Sequence, residues 1–129
     1  DKIMSASDYL ENKILDHILG SSAYTQPSRF LALSTATLQD DNSGTELSGN
    51  GYARKAITFG TASSGSITNS GAVEFDTATG NQGTISHFGI YDASSGGNLL
   101  FHGAFSASKN ISTGDVLKVS ASALTISLD

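Results

Sequence analysis

The sequence predicts a mainly β fold, an antiparallel β-sandwich of jelly-roll or Greek-key type with about seven strands and one short N-terminal amphipathic α-helix. Small residues dominate, with 14 Gly, 21 Ser and 12 Thr among 129 residues. Only 15% are Asp, Glu, Lys or Arg, although charged residues usually cover exposed helix faces. Strands tolerate Thr and turns use Gly and Ser, so this composition favours β structure.

Segment 5–20, SASDYLENKILDHILG, differs from the rest of the chain because its apolar residues recur at helical spacing. These residues are Leu10, Ile14 and Ile18, with Leu15 and Leu19 beside them. Asp8, followed three residues later by Glu11, is the expected N-cap, and Gly20 is expected to end the helix in the left-handed conformation. A helix of about three turns is marginal alone, so it must pack against another surface.

From Tyr24 onward the apolar residues alternate with small or polar ones, which is typical of half-buried strands. The predicted strands are 29–37, 52–59, 71–75, 84–91, 99–105, 116–121 and 124–127. The predicted core consists of Leu31, Leu33, Ile57, Phe59, Val73, Phe75, Phe88, Ile90, Leu99, Phe101, Leu117, Val119, Leu124 and Ile126. Clusters of Gly, Ser, Asn and Asp between these strands predict turns at 39–51, 60–66, 76–83, 92–98 and 108–115.

The chain is expected to form one compact domain, with an N-terminal arm and helix at 1–22 and a β-sandwich at 23–129. At this length a core can form without disulfides or metal. The sequence has no cysteine, which excludes thiol catalysis, cysteine zinc sites and disulfides.

Charge and hydropathy argue against two classes of partner. Seven Lys+Arg against twelve Asp+Glu give a net charge of 7 − 12 = −5, and no Lys or Arg lies between Lys55 and Lys109. We therefore expect no nucleic-acid binding. No window approaches 18 consecutive apolar residues, and the N-terminal segment lacks a basic stretch followed by an apolar run, so we expect neither a membrane span nor a secretory signal.

No motif for catalysis is found, and we expect no enzymatic activity, no cofactor and no metal. The sequence contains no GxSxG elbow, HExxH, Walker loop or GxGxxG after a strand. Glycoside hydrolysis requires paired carboxylates, and nothing brings Glu46 and Glu74, the glutamates beyond the helix, together. His87 and His102 flank the 92–98 turn and could supply two ligands of a metal site, but ordinary strand histidines are the favoured interpretation.

Three other features have an ordinary structural explanation beside a functional one. The acidic turn at 40–44 resembles part of a calcium loop but lacks the EF-hand spacing and terminal Glu, so a solvated turn is expected. Arg54 and Lys55 point to opposite faces of a strand and are interpreted as surface or interface charges. The aromatic residues are expected in the core, while Tyr52 and Tyr91, at strand ends, are the best candidates for exposed carbohydrate contacts.

The helix carries the candidate protein-interaction residues, which are Tyr9, Leu10, Ile14 and Ile18. An amphipathic helix before a complete set of strands either caps its own domain or packs on a neighbouring subunit. The sequence leaves both alternatives open.

Three blocks of the sequence resemble a family of small virion proteins of tailed bacteriophages, labelled head-decoration (cement) or tail-fibre proteins. The blocks are YLENKILDH at 9–17, GYARKAITF at 51–59 and HFGIYDA at 87–93. The resemblance extends from Ser7 to Asp129 and brings no catalytic residue with it.

The resemblance implies a virion structural protein that is made in the host cytoplasm. A fibre usually needs coiled-coil heptads or repeated β-motifs, and the sequence has neither, so we expect a capsid decoration protein. It would form a homotrimer on the head surface, bind the major capsid protein and stabilise neighbouring capsid subunits. The alternative is a tail-fibre or tail-tip domain that contacts host surface glycans through the 39–51 and 92–98 loops.

Overall fold

A computed structural model of the protein describes residues 4–128. One helix and nine strands are assigned within this range. They are β1 (Met4–Ala6), α1 (Asp8–Ile18), β2 (Phe30–Ser34), β3 (Lys55–Ala56), β4 (Ser66–Thr68), β5 (Val73–Glu74), β6 (Gly83–Tyr91), β7 (Leu99–Ile111), β8 (Lys118–Val119) and β9 (Thr125–Ser127). The predicted mainly β fold with antiparallel sheets and a single helix is confirmed.

The strands form a five-stranded sheet and two short ribbons. The sheet has the order β1-β7-β6-β2-β3, and each neighbouring pair is antiparallel. The ribbons pair β4 with β9 and β5 with β8. Side chains from both ribbons share a hydrophobic cluster with Leu31, Leu33, Phe88 and Ile90 of the large sheet. The ribbons therefore cover one face of the sheet, as the second layer of a sandwich does.

The opposite face of the sheet is covered by a loop. Ala32 of β2, Tyr91 of β6 and Leu99 of β7 form a second buried cluster with Leu38, which lies in the loop after β2. Leu38 is 1% exposed. The central part of β2 is consequently buried on both faces, although the alternating pattern predicts a strand buried on one face only.

The predicted core is confirmed for most of its members. Phe59, Phe101 and Leu117 are half-buried and pack against the core, and all other predicted members are buried. Leu100 is also buried because a bulge between β6 and β7 turns it to the same face as its neighbour Phe101. Further buried apolar residues that the alternation did not identify are Ala6, Leu10, Ala32, Leu38, Ala78, Ile85, Tyr91 and Ile111.

Several predicted strand boundaries are wrong. Segments 4–6 and 66–68 form strands that were not predicted, since each is only three residues long and too short to show alternation. Segment 108–111 continues β7 instead of forming a turn. The predicted strand at 52–59 is reduced to Lys55–Ala56, and the side chain of the preceding residue, Arg54, bonds to the 92–98 loop.

Both predicted ends of the helix need correction. Ser7, rather than Asp8, is the N-cap, because its hydroxyl accepts the Leu10 backbone N–H at 3.2 Å while donating to the Leu99 carbonyl. Gly20 does not adopt a positive φ. The N–H groups of Leu19 and Gly20 instead both donate to the Leu15 carbonyl.

Candidate functional site

The helix docks on its own domain through its first half. Leu10 is 6% exposed and belongs to the main hydrophobic cluster, and Ile14 packs partly buried against it. Tyr9 is half-buried and makes an edge-to-face contact with Tyr24, with 6.4 Å between the ring centroids. Ile18, in contrast, is 68% exposed. Of the four candidate interaction residues, Tyr9, Leu10 and Ile14 are thus buried or half-buried, and Ile18 is exposed.

An apolar cleft opens beside the helix, and we call it the α1 cleft. Its volume is about 420 Å³, and its walls come from α1, the 24–29 segment and the β4–β9 ribbon. Leu10 and Ile14 form part of one wall, and Ile67, Ile126 and Leu128 form part of another. A cleft of this size and lining is typical of a binding site for an apolar partner.

A second candidate surface, the loop face, is formed by the segments 40–44 and 92–98. The two segments are joined by Asn42, whose Nδ2 donates to the Gly97 carbonyl at 3.4 Å and whose Oδ1 accepts the Leu99 N–H at 3.1 Å. Asp92 closes the 92–98 loop by accepting hydrogen bonds from the Asn98 backbone N–H at 2.7 Å and side-chain amide at 3.1 Å. The structure therefore brings together parts of the two loops that the sequence analysis proposed for glycan contact.

Two glycines allow the 92–98 loop to close. Gly96 and Gly97 have φ of 64° and 72°, in the left-handed region that other residues rarely adopt. A Cβ on Gly97 would also lie 2.5 Å from an Asp92 carboxylate oxygen. The hairpin between β6 and β7 consequently depends on a glycine at this position.

The buried side chain of Arg54 holds the loop face in place through hydrogen bonds. Its guanidinium donates to both carboxylate oxygens of Glu46, at 2.9 and 2.8 Å, and to the carbonyls of Ala93 and Gly96, each at 2.8 Å. The Arg54 Cζ also lies 3.7 Å from the centroid of the Tyr91 ring. Burial opposes the charge of Arg54, but the Glu46 carboxylate outweighs it and raises the pKa of Arg54.

The expectation that Tyr52 and Tyr91 are exposed is wrong. Tyr91 is 6% exposed, because Arg54 covers one face of its ring. The Tyr52 hydroxyl donates to Glu46 at 2.5 Å and accepts the Leu33 N–H at 3.0 Å. Burial raises the pKa of both tyrosines, and the bond to Glu46 raises that of Tyr52 further. The buried Tyr91 ring is not available as a platform for sugars, and the half-buried Tyr52 ring stacks with Phe75.

The exposed groups of the loop face are small and polar. Asp41, Asn42, Ser94 and Ser95 are exposed. The Ser43 hydroxyl and backbone N–H both donate to Asp41, at 2.5 and 3.0 Å, and lower the pKa of that carboxyl group. Asp41 is therefore anionic at neutral pH, and the surface offers a carboxylate, an amide and hydroxyls for hydrogen bonds.

The two histidines considered as metal ligands are each hydrogen-bonded to a different side chain. His87 and His102 lie on the same face of the sheet, but His87 bonds to Thr37 at 3.1 Å and His102 bonds to Asp40 at 2.6 Å. Within residues 4–128, no group of three or more His, Asp or Glu side chains is placed to hold a metal ion. Nor does this range contain a helix long and apolar enough to cross a membrane.

The role of Arg54 could not be predicted from the sequence. Its side chain is 7% exposed, so the interpretation as a surface charge is wrong, whereas Lys55 does form a more exposed ion pair with Asp76 at 2.7 Å. Glu46 and Arg54 are eight residues apart across a turn, and no periodic pattern connects residues at that separation. The remaining glutamate beyond the helix, Glu74, lies in β5 opposite Lys118.

Comparison with known proteins identified one family. The family model described as "Gp80: Podophage GP4 fiber I protein gp80" matches residues 5–127. The match spans nearly the whole chain and includes α1, both ribbons and the large sheet. No curated protein matches the chain.

Proposed function

Because the chain belongs to the Gp80 family of podophage fibre proteins, we propose that it is a tail-fibre component that contacts host surface glycans through the loop face. Membership makes it a bacteriophage virion structural protein. The family description names a fibre, which favours the tail-fibre alternative over capsid decoration. The predicted homotrimer and the predicted contact with the major capsid protein gain no support from it.

The observation that carries the proposal is the attachment of the 92–98 loop to Arg54. Two loop carbonyls, of Ala93 and Gly96, accept from the same buried guanidinium. The exposed Ser94 and Ser95 lie between these two anchors. A surface held in one conformation loses less entropy when it binds, so it suits recognition of polar ligands by hydrogen bonds.

Sugar hydroxyls are suitable partners for this surface because each of them donates and accepts hydrogen bonds. The loop face supplies the Asp41 carboxylate as an acceptor and the serine hydroxyls as both donors and acceptors. Individual contacts of this kind are weak, but many fibres on one virion would bind a repeating polysaccharide with strong avidity.

The proposal is tested by measuring binding of the purified chain to immobilised surface polysaccharide from a susceptible host strain. Ser94→Tyr places a bulky side chain at the centre of the loop face, and Ser108→Tyr places the same side chain at an exposed position of β7. We expect wild type and Ser108→Tyr to bind equally and Ser94→Tyr to bind about tenfold or more weakly. Equal binding by all three proteins, or binding by none of them, would contradict the proposal.

A further inference from the structure

The second half of α1 carries an exposed apolar ridge. The ridge consists of Leu15, Ile18 and Leu19, which are 55%, 68% and 80% exposed. Successive residues of an α-helix lie about 100° apart, so the ridge continues the stripe that Leu10 and Ile14 begin. The domain's own core covers only the part of this stripe that contains Leu10 and Ile14. The helix therefore has more apolar surface than its own domain covers.

The α1 cleft adjoins this ridge. Ile14 lines the cleft, and Ile18 follows it by one turn of the helix. Leu128, on another wall, is 54% exposed. The ridge and the cleft therefore form one continuous apolar surface, and contiguous surfaces of this kind on soluble proteins mark sites of association.

Two charges of opposite sign that form no ion pair within residues 4–128 accompany this surface. Arg29 lines the cleft, and its guanidinium bonds only to the Pro27 carbonyl among the described residues. Glu11 lies four residues before Leu15 and seven before Ile18, on the ridge side of the helix, and is exposed. Its carboxylate makes no hydrogen bond or ion pair with any residue of the 4–128 range.

We propose that this surface binds a second copy of the same chain, with the ridge of one copy over the α1 cleft of the other and Glu11 of one copy paired with Arg29 of the other. Glu11 beside the ridge is negative and Arg29 in the cleft is positive, so two copies of the chain can pair these charges with each other. A small apolar ligand in the cleft would leave Leu15, Ile18 and Leu19 exposed. A second copy accounts for the ridge, the cleft and the two charges together, and this contact does not depend on the function of the loop face.

The first test is the mass of the full chain in solution, measured by analytical ultracentrifugation across the micromolar range. We expect a reversible oligomer heavier than the 13.3 kDa chain. Ile18→Lys should raise the dissociation constant about tenfold or more, because the contact between the two copies would then bury a charge in place of an apolar side chain. Val116→Lys is the matched control, since Val116 is also an exposed apolar residue, at 41%, but lies outside the ridge and the cleft.

The second test is reversal of the two charges. Glu11→Arg and Arg29→Glu should each weaken association, and the double variant should restore it. Both side chains lie at the protein surface or at the cleft wall, and circular dichroism checks that each variant is folded. A monomer at all concentrations, equal weakening by Val116→Lys, or no rescue in the double variant would overturn the proposal. So would an apolar dye that occupies the cleft without affecting the oligomer.

Discussion

The Arg54 guanidinium lies over the Tyr91 ring, with 3.7 Å between its Cζ and the ring centroid. This contact connects the end of β6 to the segment before β3, and the same guanidinium holds Glu46 and two carbonyls of the 92–98 loop. A planar cation with several fixed donors can stack and bond at the same time, which an ammonium group cannot do. Arg54 therefore determines the conformation of the loop face.

The first prediction concerns Arg54→Lys. Lysine retains the charge but loses the bidentate bond to Glu46 and at least one loop carbonyl. Hydrogen bonds to charged groups contribute about 1.5–3 kcal/mol each, so we expect the free energy of unfolding to fall by about 2 kcal/mol or more. Urea unfolding measures this change, and hydrogen exchange should become faster at residues 93–97.

Lys55→Ala is the control for that experiment. Lys55 pairs with Asp76, but the two side chains are 32% and 56% exposed. Exposed ion pairs contribute about 0–1 kcal/mol, so the control should remain close to wild type. If both variants lose the same stability, or if hydrogen exchange of the 92–98 loop is unchanged in Arg54→Lys, the role given to Arg54 is wrong.

The second prediction concerns the N-cap. Ser7 is fully buried, and its hydroxyl connects the start of α1 to the Leu99 carbonyl. Ser7→Ala leaves a helix N–H and a buried carbonyl without this partner, and we expect a loss of about 1–3 kcal/mol. Ser22→Ala, at an exposed position, should change stability by less than about 0.5 kcal/mol. Equal unfolding midpoints for the two variants would contradict the assignment of Ser7.

The third prediction separates the two halves of α1. Leu10→Ala creates a cavity in the core and should lower the free energy of unfolding by about 2–3 kcal/mol. Leu19→Ala removes a side chain that is 80% exposed and should have little effect on the stability of the monomer.

The fourth prediction concerns alkaline pH. Burial raises the pKa of Tyr52 and Tyr91 above the ordinary value of 10.0 in the folded protein. Their contribution to stability is therefore complete below pH 10 and decreases as the pH rises through their folded pKa values. The urea midpoint should fall above about pH 10, and tyrosinate absorbance should show fewer ionised tyrosines in the folded chain than in the unfolded one. Identical titrations of the two forms would contradict the buried positions of these rings.

Regular periodicity explains which parts of the fold could be predicted. Leu31 and Leu33 alternate on a strand, and Leu10 and Ile14 follow helical spacing, so both were identified from the sequence. Leu38 could not be identified, because it lies in a loop and is buried only by the sheet face that the loop covers. The full length of β7 could not be predicted either, because its pairing with β6 shifts register between Ile85 and His87 and interrupts the alternation.

The candidate sites depend even more on tertiary contacts. The loops at 39–51 and 92–98 were identified from their turn residues, but their junction through Asn42 and Gly97 requires the folded chain. Ile18 was correctly placed on the apolar stripe of the helix. Whether a residue on that stripe is buried or exposed depends on how far the rest of the domain extends beside the helix. The spacing of the residues in the sequence carries no information about this.

The location of the protein within the virion distinguishes a tail-fibre component from a capsid decoration protein. Particles of its phage can be separated into tail-less heads and isolated tails, and the copy number of this chain measured in each fraction by quantitative mass spectrometry. A tail-fibre component should be found with the tails and be absent from the heads. A fixed number of copies per capsomer on tail-less heads would contradict the account and would support capsid decoration instead.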